Sequence, residues 1–305
     1  MNLRQYIYNL KEKIFLPSAE ERERIERLRG KIRAVSQKGA RNARLSSWQS
    51  NIEDLQEQIL HRDPRFFLQW DMVRYTMVHE CKQTELDYLQ SLPNWPLWEQ
   101  AIIESSVGNP SPYPTYKKSS GNLIHQAYSI AQLIGRFPFD IAQIKTIVEF
   151  GGGYGSMARL LFRLGFKGQY IIFDLPEFSY LQEYYLNAAS IGAQILTEPS
   201  PNQESAVILL SELEKLATQI KLSGRPDLFI ALWSLSESPI ALRKEIIRLV
   251  ADAKTYLIAY QDKFEDIDNT AYFNEVGNSM GLKERQSYQI SHLKGKHFYF
   301  LGTKT

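Results

Sequence analysis

The segment Val148-Glu149-Phe150-Gly151-Gly152-Gly153-Tyr154-Gly155 constrains this chain more than any other. A short apolar run ends in an acid, glycines crowd the next positions, and an amphipathic stretch follows directly. Residues without a Cβ let a backbone turn sharply and let a ligand approach it closely. A helix starting there presents unpaired N–H groups and a partial positive charge. Strand, glycine turn and helix in that order belong at the carboxyl edge of a parallel sheet, where ligands lie at the point of strand-order reversal.

The flanking sequence repeats the pattern. Short apolar runs at 145–150, 169–174, 206–210, 227–233 and 255–260 read as strands buried on both faces. Helical patterns at 155–164, 176–190 and 240–253 separate several of them, and a tail hairpin is expected from 288–290 and 297–301, joined through Lys294-Gly295-Lys296. These elements predict an α/β fold with a seven-stranded, mostly parallel sheet and an antiparallel tail strand. Residues 194–196 fit either a strand or a loop. The front third reads as helical, with stretches at 20–34, 48–60 and 65–90, the last opened by Asp63-Pro64. On the first of these Ile25, Leu28 and Ile32 form one narrow apolar stripe on a charged helix, which serves either as a solvated helix or as a partner or homodimer surface. The proline-rich stretch 91–117 is expected to be a connector with a short helix at 96–105, and its ring-rich part, Asn109 to Tyr116, fits a packed linker or a binding loop. A further helix is expected at 123–135. The division drawn from this is a helical region and connector, 1–120, followed by a ligand-binding domain, 121–305.

Composition excludes several classes. Of the 305 residues, 44% are hydrophobic and 23% charged, a globular balance rather than a disordered one. A net charge of +2 is too mild to argue for nucleic acid or an anionic membrane. Cys81 is the single cysteine, so there is no intramolecular disulfide and no zinc site built on several thiolates. Neither a secretory signal nor an apolar run long enough to span a membrane is legible, and a cytoplasmic location is the expectation.

Two acids narrow the ligand. Glu149 ends the first strand and Asp174 ends the second, about 20 residues after Gly153, where an acid accepts the hydroxyls of a ribose. A carboxylate beside the glycine turn repels phosphate and attracts a cation. Together they fit a ligand with a ribose and a positive charge but no phosphate, and S-adenosylmethionine has those features. Gly153-x-Gly155-x-x-Ala158 also satisfies the NAD spacing, against which Glu149 stands close to where a pyrophosphate would lie.

The glycine turn, Ile172-Phe173-Asp174-Leu175-Pro176-Glu177-Phe178, and Asp227 to Glu237 resemble the class I S-adenosylmethionine-dependent methyltransferases. More narrowly, they resemble the sugar O-methyltransferase family found among bacterial surface-polysaccharide genes. The resemblance covers roughly residues 105–303 and implies a Rossmann-like fold. It implies that Glu149, Gly151, Gly153 and Tyr154 line the methionine end, that Asp174 binds the ribose with Leu175 against the adenine, and that Ser211 and Glu212 meet the adenine amino group. Trp233 and Ser234 would then sit beneath the transferring methyl. The expected activity is methyl transfer to a hydroxyl of a sugar, nucleotide sugar or other sugar-containing metabolite. The alternatives are a non-sugar natural product or protein acceptor, a non-catalytic cofactor-binding module, and an NAD enzyme.

A sugar hydroxyl is a poor nucleophile, so a base is expected. Glu237, after the fourth strand, is one candidate, or else an acid at a helix N-terminus. His292 in the tail turn is another, or else a surface residue. Tyr260 and Gln261 at the end of the fifth strand, and His125 and Tyr128 one turn apart on a helix, are acceptor-pocket candidates. Tyr113, Tyr116, Tyr260 and Trp233 are candidates for stacking on sugar faces. His61 and His79 are given no role. Asp262, Asp266 and Asp268 supply oxygens, yet no tight acidic cluster accompanies them and no metal is expected.

Overall fold

The computed structural model describes residues 16–37, 48–79, 81–201 and 203–305. The N-terminal stretch read above for a targeting signal lies outside the described residues. In chain order the helices before the sheet are α1 (Ala19–Gln37), α2 (Gln49–His61), α3 (Asp71–Thr76), α4 (Gln83–Gln90), α5 (Trp95–Ala101) and α6 (Gly121–Arg136). Then come β1 (Thr146–Phe150), α7 (Ser156–Arg163), β2 (Gln169–Phe173), α8 (Pro176–Ala188), β3 (Gln194–Leu196), β4 (Ala206–Leu210) and α9 (Leu213–Ser223). The chain ends with β5 (Leu228–Leu232), α10 (Ile240–Leu249), β6 (Thr255–Gln261), α11 (Asn269–Ser279), β7 (Glu284–Gln289) and β8 (His297–Thr303). No helix among the described residues is long and apolar enough to cross a membrane.

The sheet runs in the order β7-β8-β6-β5-β1-β2-β4-β3. Its central pairings are parallel, while β8 runs antiparallel between β6 and β7. The chain winds outward from β1 on one side and then crosses to β5 on the other, so the strand order reverses between β1 and β5. That reversal places a crevice above the glycine turn. Every residue of β1, β2 and β4 is buried, which is why these strands read as continuous apolar runs without alternation. Alternate side chains feed two cores. Ile147, Tyr170 and Ile230 face the cluster shared with the front helices, α6, α7 and α8. Val148, Ile171 and Phe229 face the cluster under α10 and α11.

Three expectations change. The sheet has eight strands rather than seven, because Gln194–Leu196 adds a parallel edge strand to β4. It spans three partly exposed residues, too few to show a period. The helix expected over 65–90 is broken into a 3₁₀ stretch (Pro64–Gln69), α3 and α4. Trp70 is extended, and the backbone N–H of His79 is met by the Asn122 side chain at 3.0 Å instead of by a helical carbonyl. The helix expected over 96–105 ends at Ala101, after which Glu104 N–H donates to the Lys118 carbonyl.

The stripe Ile25, Leu28 and Ile32 is covered within the chain. It is buried where α1 lies on α8 and α2, with Lys31 paired to Glu183 and set 5.5 Å from the Tyr180 ring centre. Leu28 is 3% exposed. Leu28→Ala is therefore expected to cost about 2–5 kcal/mol of stability, read as a lower denaturant midpoint. A loss below about 0.5 kcal/mol would mean that α1 is only loosely attached.

Candidate active site

Above the carboxyl ends of β1, β2, β4 and β5 lies a cavity of about 1090 Å³, roofed by residues of α1, α2 and the α3–α4 segment. Its floor is the glycine turn. Gly151, Gly153 and Gly155 have φ of +72°, +57° and +92°, a region costly for any side chain. A Cβ on Gly151 would come within 2.2 Å of the Ser234 Cβ, and one on Gly152 within 2.7 Å of Ile172 Cγ2. The turn is held by Gly151 N–H donating to the Phe173 carbonyl and Gly155 N–H to that of Gly152, both at 2.9 Å.

Two acids flank this floor, Glu149 buried and Asp174 half-buried. Glu149 Oε2 accepts from the Tyr170 hydroxyl at 2.9 Å, and no described residue hydrogen-bonds its Oε1. Burial, aided by the nearby charge of Asp174, pushes the Glu149 carboxyl up to about 8 against that hydrogen bond. Asp174 accepts from Leu175 N–H and from Gln182 Nε2, each at 2.8 Å. Burial outweighs these bonds and raises its carboxyl to about 7. A carboxylate offers about four acceptor positions, so both acids keep capacity for a ligand. Among the described residues the lysines lining the cavity are Lys31, Lys82, Lys215 and Lys294, and no arginine lines it. Lys31 is paired with Glu183, and Lys215 with Glu198 and Glu212.

All the positions assigned above to the methyl donor line this one cavity: Glu149, Gly151, Gly153, Tyr154, Asp174, Leu175, Ser211, Glu212, Trp233 and Ser234. Tyr154 is buried and its hydroxyl accepts from Asn122 Nδ2 at 3.0 Å. Ser211 Oγ lies 3.0 Å from Ser179 Oγ, and Glu212 is an exposed rim residue 3.0 Å from Lys215. Ser234 Oγ donates to the Phe150 carbonyl, tying the end of β5 to the glycine turn. Trp233 has φ +63°, uncommon for a bulky residue, and is pinned by its N–H to the Ala259 carbonyl at 2.8 Å. Its indole Nε1 donates to His297 Nδ1 at 2.9 Å.

The acceptor and base candidates separate. Glu237 lines the cavity, and burial raises its carboxyl to about 7 despite Gln261 and the charge of Arg243. His292 does not line it. Its Nε2 lies 2.6 Å from Glu85 Oε1. His125 is fully buried behind the wall, with Nδ1 2.8 Å from the same Glu85 oxygen. Tyr128 sits edge-on to His292 at 5.4 Å, also away from the cavity. Tyr260 points to the opposite sheet face, stacked between Phe273 and Phe298, because strand residues alternate and its neighbours Ala259 and Gln261 take the other parity. Gln261 stands behind Glu237, bridging Ser236 and Glu237. Tyr113 and Tyr116 belong to a small ribbon outside the cavity, where the Tyr116 hydroxyl donates to Glu99. Asp268 caps α11, and Asp262 accepts from Lys263 N–H.

Two cavity histidines were missed. His79 lies against Trp233 with ring centres 4.4 Å apart, and His297 is on β8. Nothing local marks His79, which sits in the irregular link that periodicity reads as helix. The positive φ of Trp233 is the structural sign that this corner is specialised.

No family model matches the chain, and no curated protein matches it. Solved structures do resemble it. A magnesium protoporphyrin IX methyltransferase from Synechocystis, solved with bound SAH, is 13% identical with a TM-score of 0.41, covering 72% of this chain and 97% of that one. An O-methyltransferase family protein from Burkholderia thailandensis is 16% identical with a TM-score of 0.40, covering 72% and 70%. A precorrin-6y C5,15-methyltransferase from Geobacter metallireducens is 12% identical with a TM-score of 0.40, covering 64% and 94%. These are distant likenesses, and they carry nothing about an acceptor.

Proposed function

We propose that the cavity binds S-adenosylmethionine and that the protein methylates a hydroxyl of a sugar or sugar-containing metabolite. The observation that carries the donor half is the pair of carboxyls, Glu149 buried and Asp174 half-buried, on either side of one glycine turn, with no arginine among the described residues that line the cavity. Once ionised, these carboxyls repel a pyrophosphate and suit a cationic nucleoside. Glu149 Oε1, unbonded among the described residues, suits an ammonium, and the remaining Asp174 lone pairs suit ribose hydroxyls. When bound, the sulfonium supplies an already activated methyl, so the residues of this chain need only align the acceptor, exclude water and take a proton. The remaining wall, with Trp233, His79, His297, Glu237 and Ser238, combines an aromatic face with hydrogen-bonding groups, which suits a hydroxylated ring. Glu237 serves there as a hydroxyl-binding carboxyl.

The test is transfer of labelled methyl from S-adenosylmethionine to a panel of UDP-, GDP- and dTDP-sugars. Label in one sugar with matching S-adenosylhomocysteine is the expected result. Label only in non-sugar hydroxyl compounds would overturn the sugar half. Cofactor binding without label in any acceptor would favour a non-catalytic module.

A further inference from the structure

Behind the Trp233 corner the protein carries a polar cluster that the cofactor site does not use. Glu85 and His125 are both fully buried, on α4 and α6. The hydrogen bonds from His125 and His292 outweigh burial and hold the Glu85 carboxyl below its ordinary value. An ionised carboxylate only accepts, so the nitrogens facing it, His125 Nδ1 and His292 Nε2, both carry hydrogen. That leaves His125 Nε2 buried without a partner among the described residues, while the Glu85 carboxylate has the Cys81 thiol as a further neighbour. Unpaired buried polar atoms are costly and call for a reason. The His79 ring lies 5.1 Å from the His125 ring and 4.4 Å from Trp233, and His79 and Trp233 line the cavity while His125 does not. No described side chain hydrogen-bonds its ring nitrogens.

We infer that His79 is the catalytic base for the acceptor hydroxyl, with the buried Glu85 carboxylate behind it, held by His125 and His292, supplying the compensating negative charge. The inference rests on the donor reading above. The hydroxyl oxygen bonds to the methyl carbon, the carbon–sulfur bond breaks with its electrons going to sulfur, and the hydroxyl proton passes to the His79 imidazole. Glu85 then offsets the imidazolium in a site where an isolated charge would be disfavoured. The groups facing His79 are His125 from α6, Glu85 from α4 and His297 from β8. Burial first, and then His125, push His79 down to about 3 against the pull of Glu85, so the ring is neutral in the free protein and holds the incoming proton only as far as Glu85 stabilises the imidazolium.

The experiment has three arms on the full chain. Calorimetry with S-adenosylhomocysteine reads the donor site alone; no binding sinks the donor reading, whatever His79 does. Diethyl pyrocarbonate with peptide mapping, on protein saturated with S-adenosylhomocysteine, reads His79. Carbethoxylation at a rate level from pH 7 to pH 5 is expected, since an ordinary histidine slows as it protonates there. An unreactive ring, or one shielded by S-adenosylhomocysteine, overturns the assignment even if no acceptor is in hand. With any sugar nucleotide that is methylated, His79→Gln should slow single-turnover transfer by roughly 10²- to 10⁴-fold. S-adenosylhomocysteine affinity should stay within about twofold, and imidazole should rescue His79→Ala. Wild-type transfer by His79→Gln overturns the proposal, as does a rate that climbs through about pH 7 and loses that climb in Glu237→Gln, which would make Glu237 the base.

Discussion

Replacing Gly151 by alanine is expected to abolish donor binding while the sheet still folds. The added methyl has nowhere to go. It would come within 2.2 Å of the Ser234 Cβ, and Ser234 is tied by its hydroxyl to the Phe150 carbonyl at the head of the same turn. The residue must also hold φ +72°, which costs an alanine about 1 kcal/mol or more. Relief requires either the glycine turn or the end of β5 to move, and both form the cavity floor. Circular dichroism should show a folded protein with a lowered melting temperature, and calorimetry should show no S-adenosylhomocysteine binding. Wild-type affinity in Gly151→Ala would mean that the ligand does not lie on this turn.

Asp174→Ala is expected to weaken donor binding by about 10- to 150-fold, the loss of hydrogen bonds to a charged acceptor worth about 1.5–3 kcal/mol. The variant also changes the pH dependence. In the free protein burial raises Glu149 to about 8 and Asp174 to about 7. Both must lose a proton to meet a cation and ribose hydroxyls, so wild-type affinity should rise as pH increases from 6 to about 8. Asp174→Ala should keep only the part of the rise that belongs to Glu149. The linkage to folding has the opposite sign. Groups whose folded pKa is raised favour the folded state below their unfolded values, and that contribution is lost as pH climbs toward 7–8. Ligand-free protein should therefore lose stability over the window in which the ligand binds better. Thermal melts with and without S-adenosylhomocysteine at pH 6 and 8 check this, and a shift on binding that is equal at both pH values would contradict it.

The sheet was legible because its central strands are buried on both faces and so read as unbroken apolar runs bounded by turns. Glu149, the glycines and Asp174 were legible for a related reason. Their spacing follows from strand and turn geometry over a few dozen residues, and such local rules survive in one sequence. The acceptor side was not legible, because it is assembled from far apart. His79 comes from a link between two helices, Trp233 from the end of β5 and His297 from β8, and no periodicity joins them. Tyr260 shows the parity problem. An aromatic at the end of a strand is obvious in sequence, but which sheet face it takes depends on a one-residue register. His292 was recognised as a histidine in a loop, yet its partner is a glutamate on α4, a contact that only the packed chain reveals. The stripe on α1 was recognised as apolar, but not that α8 would cover it.

The central claim is that a cationic, phosphate-free nucleoside rests on the glycine turn between two acids. Titration calorimetry of the full chain with S-adenosylmethionine, S-adenosylhomocysteine and NAD at pH 8 tests it directly. One-to-one binding of the two sulfur nucleosides with no heat from NAD is the predicted result. NAD binding in their place would contradict it.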